Sequence, residues 1–359
     1  MNIYYDARWT RIDFHDGISR YGAGIIQGFK DNNIPITLLI KNVKQLKMLP
    51  SDIPYILVND PLSIKELFIA KKLNALGADT VISPFQIIGT WGRKYKLIVT
   101  LHDTIYYLHP QAPTNMTLSQ RIVWRLFHMA KWPQRFLLNN ADKVATVSNY
   151  SKNSISKLGL TDREIVVIYN APSLKQSQMH RSNEKTKNII YMGSFMPYKN
   201  VEVLIKGMAD LPTDFSLHLL SKISDDRKLE LEKLIKPNVN VIFHNGVSDD
   251  DYIKLLQSAF CLASASKEEG FGLPIIEAQT IGTPVVCSDM TIFHEVANDG
   301  ALFFDYNSPK QFADQVLKLN DEKCLNDLVK KGHIQSEKFS WKQSAKKLYD
   351  ICLQLVANE

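Results

Sequence analysis

The sequence predicts an α/β protein built from two doubly wound domains, each a parallel sheet covered by helices. Three observations carry that expectation. At 359 residues the chain exceeds the roughly 100 to 200 residues of one ordinary domain. Short apolar runs alternate with amphipathic stretches, the rhythm of strand, helix and strand in a parallel sheet. The runs form two series, separated at 173–188 by a segment rich in Ser, Lys, Gln and Asn with almost no apolar periodicity.

The first series opens with a strand at 3–5, a helix near 19–30 and a strand at 36–40. Further strands are expected at 56–58, 80–83, 97–101, 143–147 and 165–168. The second series runs through 189–192, 216–220, 239–243, 259–263, 284–287 and 301–304. Near the end of the chain Trp341, Ala345, Leu348, Ile351, Cys352 and Leu355 recur at helical spacing. The expected divisions are a first domain at 1–172, a linker at 173–188, a second domain at 189–340 and a helix at 341–359.

An apolar content of 45% with 22% charged residues excludes a disordered or disulfide-rich chain. Cys261, Cys287, Cys324 and Cys352 show neither paired metal-ligand spacing nor a redox motif, and read as buried thiols of a reducing compartment. No stretch reaches the ~20 apolar residues that span a bilayer, and the first residues enter a strand without a signal-peptide pattern. A cytoplasmic location is therefore expected, and no nucleic-acid partner.

The net charge of +6 decides little by itself, but its placement is informative. Between Asp103 and Asp142 there is no acidic residue, whereas Arg121, Arg125, Lys131 and Arg135 all fall there. On a helical wheel for 119–139, Arg121, Arg125, His128 and Arg135 share one face and Ile122, Leu126, Met129 and Phe136 lie opposite. Pro133 is expected to kink or divide this helix. Such a helix suits an anionic membrane surface, or packing of its apolar face on its own domain; the sequence leaves both open.

The strongest local signal is Glu269-Gly-Phe-Gly-Leu-Pro-Ile-Ile-Glu277, which follows an expected strand and opens a helix with Pro274 near its first turn. Two carboxylates thus flank a glycine-rich turn at the mouth of a sheet. Ligands of open parallel sheets bind outside the carboxyl ends of the strands, where helix N-termini present unpaired amides and a positive dipole end. Amides around Gly272 and Leu273 suit a diphosphate, and Glu277, one turn in, suits a ribose diol. The alternative is that Glu277 only complements the helix dipole while Glu269 is a solvated loop residue.

Together with Gly193-Ser-Phe-Met-Pro-Tyr-Lys-Asn200, Ile168-Tyr-Asn170 and Thr146-Val-Ser148, this segment closely resembles the retaining glycosyltransferases of family 4, which have the GT-B fold. The likeness covers nearly the whole chain and is most specific from 191 to 305. It implies two Rossmann-like domains with a cleft between them and a final helix that crosses back to the first domain. It also implies transfer of a sugar from a nucleotide diphosphate donor with its anomeric configuration kept. Glu277 would hold the donor ribose, Glu269 would lie beside the transferred sugar, and Lys199 would neutralise the diphosphate. Gly17, Ser194, Gly270, Phe271, Gly272 and Leu273 would complete the donor site.

Many members carry an arginine where this chain has Ser194, and a second where Tyr198 stands. Lys199 would then carry more of the compensation, or Arg20 would contribute. His102, at the end of the strand at 97–101, is the implied catalytic histidine, and Asp103 would orient it or touch the acceptor. No metal or other cofactor is expected, because no Asp-x-Asp pair ends a suitable strand and Asp249-Asp-Asp251 reads as a helix cap. The resemblance points to GDP-mannose and a glycan or lipid-linked acceptor of surface polysaccharide synthesis. Other readings of the same architecture are a non-catalytic sugar-nucleotide-binding subunit, a GT-B epimerase and a phosphorylase.

Overall fold

The computed structural model describes residues 1–111, 117–174, 178–182 and 186–357. Parts of two expected segments therefore lie outside the described residues: 175–177 and 183–185 of the linker, and 358–359 of the last helix. The chain divides into two compact units, Met1–Ala171 with Phe339–Glu359, and Pro172–Lys338.

The first unit runs β1 (Ile3–Asp6), α1 (Gly17–Asp31), β2 (Thr37–Ile40), β3 (Tyr55–Leu57), α2 (Ile69–Ala75), β4 (Thr80–Ser83) and β5 (Lys96–Thr100). It continues with α3 (Ile105–Leu108), α4 (Leu118–Met129), α5 (Trp132–Asn139), β6 (Lys143–Thr146), α6 (Asn149–Leu158) and β7 (Ile165–Val167). The strands are parallel, in the order β3-β2-β1-β4-β5-β6-β7. The path steps outward from β1 to β3, crosses back, and steps the other way from β4. Right-handed crossovers then put α1 on one face and α2, α5 and α6 on the other. Ile69 and Leu73 of α2, Leu138 of α5 and Ile155 of α6 accordingly share one core with Tyr4, Val81, Val99 and Val144 of the sheet.

The second unit repeats the plan with β8 (Asn188–Tyr191), α7 (Val201–Gly207), β9 (Ser216–Leu219), α8 (Asp225–Glu232), β10 (Asn240–Phe243), α9 (Asp249–Ser258) and β11 (Cys261–Ser264). Then come α10 (Leu273–Ile281), β12 (Val285–Ser288), α11 (Thr291–Ala297), β13 (Leu302–Phe304), α12 (Pro309–Lys318) and α13 (Glu322–Ser336). Its parallel order is β10-β9-β8-β11-β12-β13, reversing between β8 and β11. The polar segment before β8 is bonded along this unit: Ser182 and Thr186 amides donate to the Gln257 and Ser258 carbonyls, each at 3.0 Å.

α14 (Trp341–Ala357) closes the first unit by packing on α1. A Cβ on Gly28 would stand 2.1 Å from the Trp341 carbonyl oxygen, so only glycine allows this approach. Every expected strand is present; the central strands are short buried runs, whereas β3 and β10 lie at sheet edges with side chains partly exposed.

The expected helix at 119–139 is divided, as Pro133 implied, and the correction falls on the basic face it was expected to share along its length. It is two helices, α4 and α5, broken at Ala130 and Lys131, and Pro133 sits in the first turn of α5, where its missing N–H costs nothing. Arg135 therefore leaves the basic face of α4. Its guanidinium is held by the Asp162 carboxylate at 2.5 Å and the Gly159 carbonyl at 2.8 Å.

Candidate active site

Because β8 and β11 are neighbours at the reversal of the second sheet, the loops leaving their carboxyl ends meet, which is where open α/β sheets bind ligands. After β8 the chain makes a 3-10 turn at Pro197–Lys199, and Asn200 takes a left-handed φ of 54°. Its side-chain amide donates to the Ala265 carbonyl at 3.1 Å and the Tyr306 carbonyl at 2.7 Å. The Lys267 amide returns a bond of 2.7 Å to the Tyr198 carbonyl. Laced in this way, the loops bring Lys199 Nζ to 2.5 Å from Glu269 Oε1, with side chains only 16% and 13% exposed. Ser266 Oγ donates to the same carboxylate oxygen at 2.8 Å. Glu269 is thus a held, half-buried carboxylate rather than a solvated loop residue.

The chain then turns into α10 through Gly272, whose φ of 101° is open to glycine and costly for other residues. Phe271 and Gly270 are buried beside it. No side chain caps α10 and Pro274 occupies its first turn, so the start of the helix offers the dipole's positive end at the sheet mouth. Leu273 is its first residue. Glu277, one turn in, is 4% exposed and accepts a bond of 2.9 Å from the hydroxyl of Tyr252, itself buried on α9. A carboxylate that deep must be met by donors, which complementing a helix dipole at the surface would not require. Ser194 is exposed, and its carbonyl accepts from Tyr191 Oη at 2.6 Å.

In the first unit His102 follows β5. Its Nε2 lies 2.8 Å from the Pro84 carbonyl and its ring meets Tyr21 edge-on at 4.9 Å. A carbonyl only accepts, so Nε2 carries the proton and Nδ1 is the acceptor of the neutral ring. Burial lowers the His102 pKa below the ordinary histidine value, against the bond to Pro84 and the charge of Asp16, and keeps the ring neutral. Asp103 Oδ1 accepts from the Ile105 amide at 3.0 Å, at the start of α3. Gly17 is the first residue of α1, and a Cβ there would meet nothing within 4 Å, so packing within this unit does not demand a glycine.

Asp249, Asp250 and Asp251 fill the first turn of α9, but the capping residue is Ser248, whose hydroxyl accepts from the Asp251 amide at 3.1 Å. That corrects the expected cap. Among the described residues no group of three or more His, Cys, Asp or Glu side chains is placed to hold a metal ion, and no helix is long and apolar enough to cross a membrane. Ser266 was legible as a hydroxyl three residues before Glu269. Tyr252 was not, since it reaches Glu277 from another helix.

On α4 and α5 the apolar side chains Ile122, Leu126, Met129 and Phe136 are exposed, as are Arg121, Arg125 and Lys131.

Residues 173–335 match the family described as Glycosyl transferases group 1, and residues 38–175 match Glycosyltransferase Family 4. The chain is 31% identical over 239 residues to the O-antigen chain mannosyltransferase RfbU of Salmonella typhimurium, covering 63% of this chain and 65% of that one. It is 27% identical over 223 residues to O-antigen chain mannosyltransferase B of Escherichia coli, covering 57% and 58%. The chain thus matches less than two thirds of the length of either relative. Its fold is similar to that of Anabaena HepE in complex with UDP, at a TM-score of 0.75 and 15% identity over 99% of this chain and 100% of that one. It is also similar to sucrose-phosphate synthase from Thermosynechococcus elongatus, at 0.73 and 18% identity over the whole of both chains. Two parallel sheets built this way, with matches to both families across 38–335, make the fold GT-B and the chain a member of the family 4 glycosyltransferases.

Proposed function

We propose that the chain is a retaining glycosyltransferase that moves a hexose from a nucleoside diphosphate sugar to a glycan or lipid-linked acceptor in surface polysaccharide synthesis. The observation that carries this reading is the Lys199 and Glu269 pair beside the uncapped start of α10, with Glu277 held one turn inside. Two relatives are O-antigen chain mannosyltransferases, which supports mannose and makes GDP-mannose the donor of first choice. A fold neighbour solved with UDP supports a nucleoside diphosphate as the bound group.

In this reading the ribose diol donates to Glu277, while Lys199 and the first amides of α10 meet the diphosphate, joined by the loop residues Ser194, Gly270, Phe271, Gly272 and Leu273 of the same unit. As Lys199 turns to the phosphates, Glu269 keeps its bond from Ser266 and places negative charge by the sugar, where positive charge develops. The bond from the anomeric carbon to the phosphate oxygen breaks, and the acceptor oxygen bonds to that carbon on the same face. The acceptor's proton passes to the departing phosphate. Neutral His102 accepts a sugar hydroxyl at Nδ1, with Asp103 beside it in sequence shaping the loop. No metal takes part. The enzyme works in the cytoplasm at the inner face of the membrane, where Arg121, Arg125 and Lys131 meet anionic lipid.

A turnover screen against GDP-, UDP-, dTDP- and ADP-sugars tests the proposal. One donor should release its nucleoside diphosphate, faster with acceptor. His102→Ala or Glu269→Ala should each lower turnover by at least about a hundredfold, with donor affinity changed far less. Near-normal turnover in either variant would remove that residue from the chemistry.

A further inference from the structure

The first unit leaves a second apolar patch in solvent besides the one on α4 and α5. Between β3 and α2, Leu62, Ile64, Leu67 and Phe68 are exposed, Ile64 at 83%, and Trp91 in the loop after β4 joins them at 61%. The Phe68 and Trp91 rings lie 5.8 Å apart, and the Lys71 ammonium sits 4.3 Å over the Trp91 ring. Large apolar side chains gathered in this way on a soluble unit mark a surface that meets something.

The helices that adjoin the two patches, α2 and α5, lie on one side of the sheet and feed the same core. The loop that carries Trp91 spans from one helix to the other: Asn74 at the end of α2 donates to the Gly92 carbonyl at 2.7 Å, and Arg93 donates to the Asn140 carbonyl beyond α5 at 3.1 Å. On α4 and α5 the exposed side chains include Val123, and Trp132 at 71%.

The exposed side chains that flank the two patches are mainly cationic. Arg121, Arg125 and Lys131 flank the first, in a stretch without acidic residues, and exposed Lys65, Lys71 and Lys72 flank the second. The acids nearest the second patch are engaged, Glu66 by buried Arg8 at 2.6 Å and Asp60 by Lys41 at 2.6 Å. Apolar and aromatic side chains ringed by cations have the composition of a surface that settles into the headgroup layer of an anionic bilayer.

We propose that the first unit lies on an anionic bilayer through both patches at once, with Leu62, Ile64, Leu67, Phe68 and Trp91 as a second anchor. This rests on the reading that α4 and α5 meet lipid, and adds the point that fixes how the unit faces the membrane. One weak anchor binds marginally and lets the unit pivot; two on one face bind together and set its orientation.

The full chain is tested by sedimentation with vesicles of phosphatidylcholine and phosphatidylglycerol, and of phosphatidylcholine alone. The patch 2 variant is Ile64→Ser with Trp91→Ser; these exposed sites leave the fold intact, which circular dichroism checks. Wild type should sediment with the anionic vesicles only, and the variant should bind about tenfold more weakly. Brominated lipid should quench tryptophan emission, and Trp91→Phe and Trp132→Phe should each remove part of that quenching. Binding by wild type with full affinity in the patch 2 variant and full quenching in Trp91→Phe overturns the second anchor and leaves the first standing. No binding by wild type overturns both. A concentration-dependent dimer that the patch 2 variant abolishes would assign the patch to a second copy of the chain and overturn the proposal.

Discussion

Each proposed donor-site carboxylate is held by a side chain remote in sequence. Lys199 reaches Glu269 across 70 positions, and Tyr252 reaches Glu277 across 25. Tyr252 touches no proposed substrate atom; it sets the direction of the carboxylate that does. Tyr252→Phe removes one hydroxyl from a buried pair, and a buried charge that loses a donor costs about 1 to 3 kcal/mol. Affinity for the nucleoside diphosphate should fall about tenfold, with turnover at saturation nearly kept. The preference for the ribonucleotide over its 2′-deoxy form should narrow, because the variant disturbs the group that reads the diol. A purely structural tyrosine would weaken both nucleotides alike, and equal losses in parallel titrations would contradict the assignment.

Among the elements, β9 and its neighbour β10 carry a pH response that the proposed chemistry does not use. Ser216 Oγ donates to Asn188 Oδ1 at 2.8 Å, so it accepts from His218 Nε2 at 3.1 Å, and His218 Nδ1 is left to accept from His244 Nε2 at 3.0 Å. Burial, then the charge of His244, push the His218 pKa down to about 4. In the unfolded chain a histidine titrates near ~6.5, so between these values the unfolded state binds the proton that the fold refuses. The stabilisation from neutral His218 is full above pH ~6.5 and is lost as the pH falls toward about 4. Urea midpoints at pH 7.5 and 5 should fall for wild type and fall less for His218→Gln; equal slopes would contradict the bond chain. None of this chain was legible in the sequence, because it joins side chains of different strands. The strands themselves were, since most of β1 to β13 are short, mainly apolar runs. α4 shows the limit between the two cases: a wheel shows which residues share a side of the helix, but whether Ile122 and Leu126 are covered depends on neighbours that a wheel does not contain. Glu269 and Glu277 stood out because nine residues held both around one glycine turn.

Taken whole, the molecule is two units with separate cores and separate sheet reversals, and the proposed chemistry divides between them. The diphosphate is assigned to Lys199 and the amides of α10, so activity should survive EDTA. Strict loss with chelator and rescue by manganese or magnesium would contradict that assignment. Placing nucleotide recognition in the second unit also means that His102→Ala, in the first, should leave nucleotide affinity nearly unchanged. The most direct test is calorimetric titration of wild type and Glu277→Ala with nucleoside diphosphates. Wild type should show one site per chain and the variant binding at least about tenfold weaker, the scale of a lost charge-assisted contact. Equal affinity in the two proteins would contradict the role given to Glu277.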